Sequence, residues 1–320
     1  MRIINDETEH RLMDPLLIML VSLSSVLGGM FGLLTGLIPG IHVNTLASIL
    51  LISYPMLETL LSGTVPNEYV PIVVCSIIMS ASVVHSYVDF VPSVFIGAPD
   101  AEDAISVLPG HRLLLSGQGM RAVRAAAIGS LIGCSVAILM AIPMQMVMTD
   151  DVTHYLDRIT KIILAVVSGI IILNEYRKGH LIFAIIVFIL SGVLGYAVMN
   201  LPIPCEGLLG EGTLLMPMLT GLFGLPVMLE SASGHPFPRQ TDDGKDPVGL
   251  VPGLKGVIMG SVAGWFPGIT STVGATVSTT IMPDRTPERF ISTVASIGTV
   301  TTVLSLVTLS ISGGGRSGRS

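Results

Sequence analysis

Long apolar stretches alternate with short polar ones along this chain. The apolar segments run approximately 15–38, 43–63, 69–98, 121–149, 162–173, 180–199, 202–229, 247–282 and 291–312. A bilayer core about 30 Å thick needs about 20 apolar residues of helix, and most of these segments reach that length. None alternates in the manner of a membrane β-strand, and backbone in lipid must satisfy its own hydrogen bonds, so the segments predict helices. Several carry internal Pro or Gly, which predicts broken rather than uniform spans. The pattern predicts an all-α fold: a polytopic integral membrane protein with about 8–9 hydrophobic segments, multi-pass in the cytoplasmic membrane.

Charge sharpens this picture. Only 12% of residues are charged, about half the share usual in a soluble domain. Of these, Arg112, Arg121 and Arg124 mark one cytoplasmic loop, Arg177 and Lys178 a second, and Arg239, Lys245 and Lys255 a third, while 54–70 and 199–212 hold no basic residue and read as external. The resulting organisation is a cytoplasmic segment 1–14, a first repeat 15–149 containing a cytoplasmic loop 99–124, connecting helices 150–246, a second repeat 247–312 and a polar tail 313–320. The mixed charges of residues 2–14, with no small-residue cleavage site after the first apolar run, argue against a removable signal peptide. The weakest span is 162–173, whose 12 residues cover only about 18 Å of helix. If it does not cross, the two repeats are inverted rather than parallel, the arrangement this reading favours.

A net charge of −6 without a basic stripe counts against nucleic acid as a partner. Cys75, Cys134 and Cys205 are single and widely spaced, so they read as packing residues. No HExxH, GxSxG or metal-ligand spacing is present, so no catalytic residue, metal or cofactor is expected, and an intramembrane enzyme is the weakest reading.

Comparing the chain with itself exposes a repeat. Residues 28–41 read GGMFGLLTGLIPGI and residues 256–269 read GVIMGSVAGWFPGI, an offset of 228. Gly28, Gly32, Gly36 and Gly40 align with Gly256, Gly260, Gly264 and Gly268, Pro39 with Pro267, and Ile41 with Ile269. Glycine at every fourth position lines one helix face, where a second backbone can approach closely. The Pro-Gly pair then breaks the helix, because proline lacks a backbone donor. Matched breaks in two halves of a membrane protein point to a transporter site built from discontinuous helices, the alternative being close-packed helices with kinks. After each break the chain is polar but uncharged: His42, Asn44 and Thr45 in one copy, Thr270, Ser271 and Thr272 in the other. A helix restarting there offers backbone amides and a positive dipole end to an anion. Thr276, Ser278, Thr279 and Thr280 extend the polar character, as do the hydroxyls of 292–310, unless they simply back-bond to carbonyls in packed helices.

Two other constellations stand out. Gly97, Pro99 and Asp100 form a further break, followed by Glu102, Asp103 and the Arg112–Arg124 basic stretch; its simplest reading is a solvated cytoplasmic loop. His85 and Asp89 share a helix face inside an apolar run. Such a pair suits proton or cation coupling, and Asp89 near a membrane boundary also suits an acid that reaches to water.

These elements resemble a known family. Gly32-x3-Gly36-x-x-Pro39-Gly40 with its second copy, Ile96-Gly97-Ala98-Pro99, Leu115-Ser116-Gly117-Gln118-Gly119-Met120-Arg121-Ala122 and Pro287-Glu288-Arg289-Phe290 are together similar to the large, TctA-type permease subunit of tripartite tricarboxylate transporters. The resemblance covers most of residues 25–315. Leu108-Pro109-Gly110-His111 departs from the family's Gly-Tyr-Pro turn, and His85 and Asp89 stand where the family usually has Gly and Ser. Family members usually continue with further membrane segments, so the chain reads as a divergent and C-terminally short member. The resemblance implies a secondary transporter that takes up citrate-like carboxylates using an H+ or Na+ gradient, together with a small membrane subunit and an extracytoplasmic solute-binding protein. It implies substrate-binding segments at Gly36–Thr45 and Gly264–Thr272 with Gly97–Asp100 as a third wall. A translocator of lipid-linked phosphate would use the same helix termini and stays open as the alternative.

Overall fold

The computed structural model describes residues 14–38, 41, 43–97, 104–147, 150–201, 206–207, 210–211, 238–241, 244–266 and 269–312, with isolated positions between 214 and 229. Among these, twelve α-helices form, with one short antiparallel pair, Glu206–Gly207 against Gly210–Glu211. Six helices are long and apolar enough to cross a membrane: Pro15–Leu37, Val70–Ile96, Gly119–Val147, Arg158–Arg177, Leu181–Asn200 and Pro287–Val307. The chain is an all-α polytopic membrane protein. The 202–229 segment lies almost wholly outside the described residues.

The chain divides into two compact units, the first holding residues up to Val88 and Glu206–Gly212, the second holding the rest. In the first unit, α1 (Pro15–Leu37) is followed by α2 (Val43–Ile52), α3 (Tyr54–Leu61) and α4 (Val70–Val88). Asp14 starts α1 by accepting the Leu16 amide at 2.9 Å, and Pro15 fits the first turn, where its missing N–H costs nothing. The core of this unit is the α1–α4 contact. A Cβ on Gly32 would lie 2.5 Å from Ala81 O, one on Gly36 would lie 3.0 Å from His85 O, and Gly28 meets Ile77 O more closely still. Each glycine therefore seats one turn of α4 backbone, and the stripe fixes how closely the helices pack.

The second unit is built around α12 (Pro287–Ser312). Ile291, Ile297, Val300 and Leu304 on this helix are fully buried. Helix α7 (Gly119–Val147) packs on it through Gly129 and Gly133, which meet Ser292 and Ser296. Helix α10 (Leu250–Trp265) packs on another face through Gly256, Gly260 and Gly264. Hydroxyls of α12 stitch this contact: Thr293 donates to Pro252 O at 3.3 Å, Ser296 to Gly253 O at 2.7 Å and Thr301 to Gly260 O at 3.4 Å. Such interhelical hydrogen bonds are worth about 0.6–2 kcal/mol each in a membrane. Much of the Ser/Thr content of 292–310 thus serves packing.

Helix α5 (Phe90–Ile96), α6 (Val107–Leu115) and α11 (Ser271–Ile281) complete the core, where Phe90, Val94, Leu113, Ala275 and Val294 form one cluster. Helices α8 (Asp150–Arg177) and α9 (Leu181–Asn200) add a hairpin, and no residue of α9 is buried. An unbroken apolar helix exposed all round suits lipid. The 12-residue apolar core at 162–173 belongs to the 28-residue α8, because Asp157, Arg158 and Lys161 continue the helix instead of bounding it. Its apparent shortness is no longer a reason to doubt a crossing.

Candidate functional sites at two broken helices

The two breaks have the same backbone construction at the offset of 228 seen in the sequence. Helix α1 ends at Leu37 and α10 at Trp265; α2 begins at Val43 and α11 at Ser271. The residues after the ends, Ile38 and Phe266, are both extended, and their amides donate to Leu34 O and Val262 O. Three residues later Ile41 and Ile269 donate back to Ile38 O at 3.3 Å and to Phe266 O at 3.2 Å. Pro39, Gly40, His42, Pro267 and Gly268 lie outside the described residues, as does the side chain of Asn44.

The repeat continues into the partner helices, where the sequence did not reveal it. Gly28, Gly32 and Gly36 meet the carbonyls of Ile77, Ala81 and His85; Gly256, Gly260 and Gly264 meet those of Thr293, Ile297 and Thr301. His85 and Thr301 therefore hold equivalent positions. Their hydrogen bonds also correspond. Thr35 Oγ1 donates to Gly32 O at 3.2 Å and lies 3.0 Å from His85 Nδ1, within hydrogen-bond distance. Thr301 Oγ1 donates to Gly260 O, the partner of Gly32 in the second copy. One repeat thus places a titratable imidazole where the other has a hydroxyl.

At the second break the polar residues separate by role. Thr270 is the N-cap of α11, accepting the Val273 amide at 3.3 Å while its own carbonyl accepts Gly274 N. Ser271 is 1% exposed, and its Oγ has no partner among the described residues. Ser278, two turns along the same buried face, is in the same condition. By contrast Thr276, Thr279 and Thr280 back-bond to Thr272 O, Thr276 O and Thr276 O. Helix α11 returns alongside α10: a Cβ on Gly274 would lie 3.5 Å from both Ala263 Cβ and Met259 O. At the far end Lys255 on α10 reaches Asp284 Oδ2 at 2.7 Å and the Met282 carbonyl. The break therefore folds the chain into a helical hairpin with Thr270–Thr272 at its tip. Thr45 and Thr272 are half-buried, and Gly36 and Gly264 are buried.

Gly97 caps α5 with φ +70, a conformation that favours glycine, while Pro99 and Asp100 lie outside the described residues. The following stretch is not a simple solvated loop. Leu113 and Leu114 are buried, and the turn at 116–119 is clamped from residues 238–241. Gln240 Oε1 accepts Gly119 N at 2.7 Å, its Nε2 donates to Leu114 O at 3.1 Å, and Thr241 N donates to Gly117 O at 2.9 Å. Arg121 Nε lies 3.1 Å from Glu288 Oε1, an ion pair that joins the start of α7 to the start of α12. Val94 of α5 and Ala275 of α11 share one core cluster, so the second unit brings the Gly97 break and the second hairpin into one body.

His85 is 5% and Asp89 7% exposed, so Asp89 does not reach out to water. They fall on either side of the division between the units. No group of three or more His, Cys, Asp or Glu able to hold a metal occurs among the described residues. Lys255, read in the sequence as a loop marker, sits inside α10, and its pairing with Asp284 was missed.

A profile of the Tripartite tricarboxylate transporter TctA family matches residues 23–319. The chain belongs to that family. Its membership agrees with the six long apolar helices found among the described residues, and it makes the chain a permease of the tricarboxylate-transporter type. A protein of Methanocaldococcus jannaschii, Uncharacterized protein MJ1079, is 30% identical over 304 residues, covering 94% of this chain and 71% of that one. No solved structure matches the chain.

Proposed function

We propose that this permease moves small, citrate-like carboxylates across the cytoplasmic membrane, driven by a proton or sodium gradient. The anion is held by the helix amino termini that restart after the two Pro-Gly breaks, at Gly36–Thr45 and Gly264–Thr272, with Gly97–Asp100 as a further wall. The observation that carries this reading is the α11 terminus: an uncharged hairpin tip with a capped first turn and a buried Ser271 hydroxyl that has no partner among the described residues. Anion oxygens suit backbone amides and hydroxyls, and a site without fixed counter-charge can release what it binds.

His85 and Asp89 are the coupling groups in this reading. An imidazole at the position of Thr301, one turn from the first break, supports that role, because it adds a protonatable group to an otherwise matched construction. A small membrane subunit and a solute-binding protein are the partners that the family's tripartite organisation implies. The test is labelled-citrate uptake into liposomes carrying the permease with both partners, under imposed proton and sodium gradients. Gradient-dependent, saturable uptake is expected; absence of anion flux under every gradient overturns the reading.

A further inference from the structure

The second hairpin carries a device that its first-repeat counterpart lacks. Lys255 and Asp284 side chains are 10% and 6% exposed, and their ion pair of 2.7 Å closes the base of the α10–α11 hairpin. Lys255 also donates to the carbonyl of Met282, the C-cap residue of α11. At the repeat offset of 228, Lys255 corresponds to Leu27, which is apolar and cannot form such a pair. The pairing therefore belongs to one repeat only.

Its geometry decides what it does. Helix α11 is 11 residues long, about 16 Å, too short to cross a bilayer. It meets α10 through small residues, Gly274 beside Ala263 and Met259 O, and through the base. A lysine near the carboxyl terminus of a helix interacts favourably with the last carbonyls and with the negative dipole end. A buried ion pair contributes little net stability but strongly disfavours alternatives in which one charge is left alone, so it fixes register. A slip of α11 along α10 would displace Thr270, Ser271 and Thr272 by the same distance, because a helix transmits translation along its axis.

We propose that Lys255 and Asp284 form a latch that fixes the base of the second hairpin and thereby positions the α11 amino terminus for the anion. They are positioning residues and do not touch substrate. The role rests on the transport reading above, and the test separates the two. Hydrogen exchange of the lipid-reconstituted permease reports the latch without any substrate. Lys255→Met and Asp284→Asn should accelerate amide exchange in residues 276–282 by about tenfold or more. Citrate uptake by the complete transporter should show half-saturation raised about fivefold or more with maximal rate largely kept, the pattern of a displaced binding element. Lys255→Arg, which keeps the charge and the donor, should recover both properties. The double variant K255M/D284M, which removes both charges together, guards against misfolding from one stranded charge. Unchanged exchange in K255M/D284M and in both single variants overturns the latch. Faster exchange with unaltered half-saturation in a transporting protein overturns the positioning role. Faster exchange in a wild-type background that moves no citrate leaves the latch standing and overturns the transport reading instead.

Discussion

Adding a single methyl group at Gly32 tests the helix packing most sharply, because Gly29 provides an internal control. Both residues lie inside α1, so Ala in place of Gly gains about 0.8–1 kcal/mol of helix propensity at either position. At Gly29 the new Cβ meets Ser80 Oγ and Val84 Cγ2 at 3.7 Å, ordinary contact. At Gly32 it meets Ala81 O at 2.5 Å, Val84 Cβ at 2.9 Å and Ala81 Cα at 3.0 Å. Carbon atoms pack best about 3.5–4.0 Å apart, so α4 must retreat by roughly half an ångström to one ångström. Two of the three obstructing atoms are backbone, and no rotamer change relieves them. Overpacking of this kind costs about 1–3 kcal/mol. Retreat also stretches the neighbouring contacts at Gly28 and Gly36 and the His85–Thr35 hydrogen bond. Gly32→Ala should therefore be about 1–3 kcal/mol less stable than Gly29→Ala, a factor of about 5 to 160 in the unfolding equilibrium. Unfolding of the two variants in mixed micelles measures the difference. Equal stabilities, or a more stable Gly32→Ala, would refute the close approach of α1 and α4.

Three other outcomes follow from individual contacts. Ser271→Ala should move stability and affinity in opposite directions: removing a buried, unpartnered hydroxyl relieves a cost of about 1–3 kcal/mol, while losing an anion contact raises citrate half-saturation about 10-fold or more. A thermal-unfolding scan beside an uptake curve reads both, and an unchanged half-saturation would remove Ser271 from the site. Gln240→Ala breaks the clamp on the 116–119 turn, so protease cleavage near 116–118 should rise while α12 stays protected; an unchanged cleavage rate would deny the clamp. Asp14 and Asp246 lie outside the spans with carboxyls held below the usual range, Asp14 chiefly by the Tyr69 hydroxyl and then the Leu16 amide, Asp246 by the amides of Gly249 and then Val248. Because the folded state prefers the ionised form, the hydrogen bonds to both carboxylates are intact above the ordinary carboxylate range and are lost as pH falls through the lowered values. Carboxyl NMR titration should place both below the usual range, and ordinary midpoints would contradict those hydrogen bonds.

How far the sequence disclosed the structure depended on the range of the forces involved. The breaks after Leu37 and Trp265 were legible because proline and glycine act on their own backbone. The stripe Gly28–Gly32–Gly36 was legible because a spacing of four defines a helix face. Its partners were not. The single helix α11 and its short following loop replace α2, α3 and a longer loop, so the offset changes from 228 between Gly32 and Gly260 to 216 between His85 and Thr301. That shift concealed the equivalence of an imidazole and a hydroxyl. Lys255 was misplaced because a lone basic residue marks a cytoplasmic loop and a buried ion pair equally well, and its partner is 29 residues away. The start of α8 was misjudged because apolar composition reports lipid contact, whereas Asp157, Arg158 and Lys161 are good enough helix formers to extend the helix beyond it.

The central claim is that an anion binds where the two broken helices restart. Its most direct measurement is gradient-driven uptake of labelled citrate by the complete transporter, comparing the wild type with Gly40→Leu and Gly268→Leu at matched membrane levels. A leucine at either position places a side chain where backbone must approach the anion, so uptake should fall to background in both while insertion is unaffected. Uptake that survives in both variants would contradict the account.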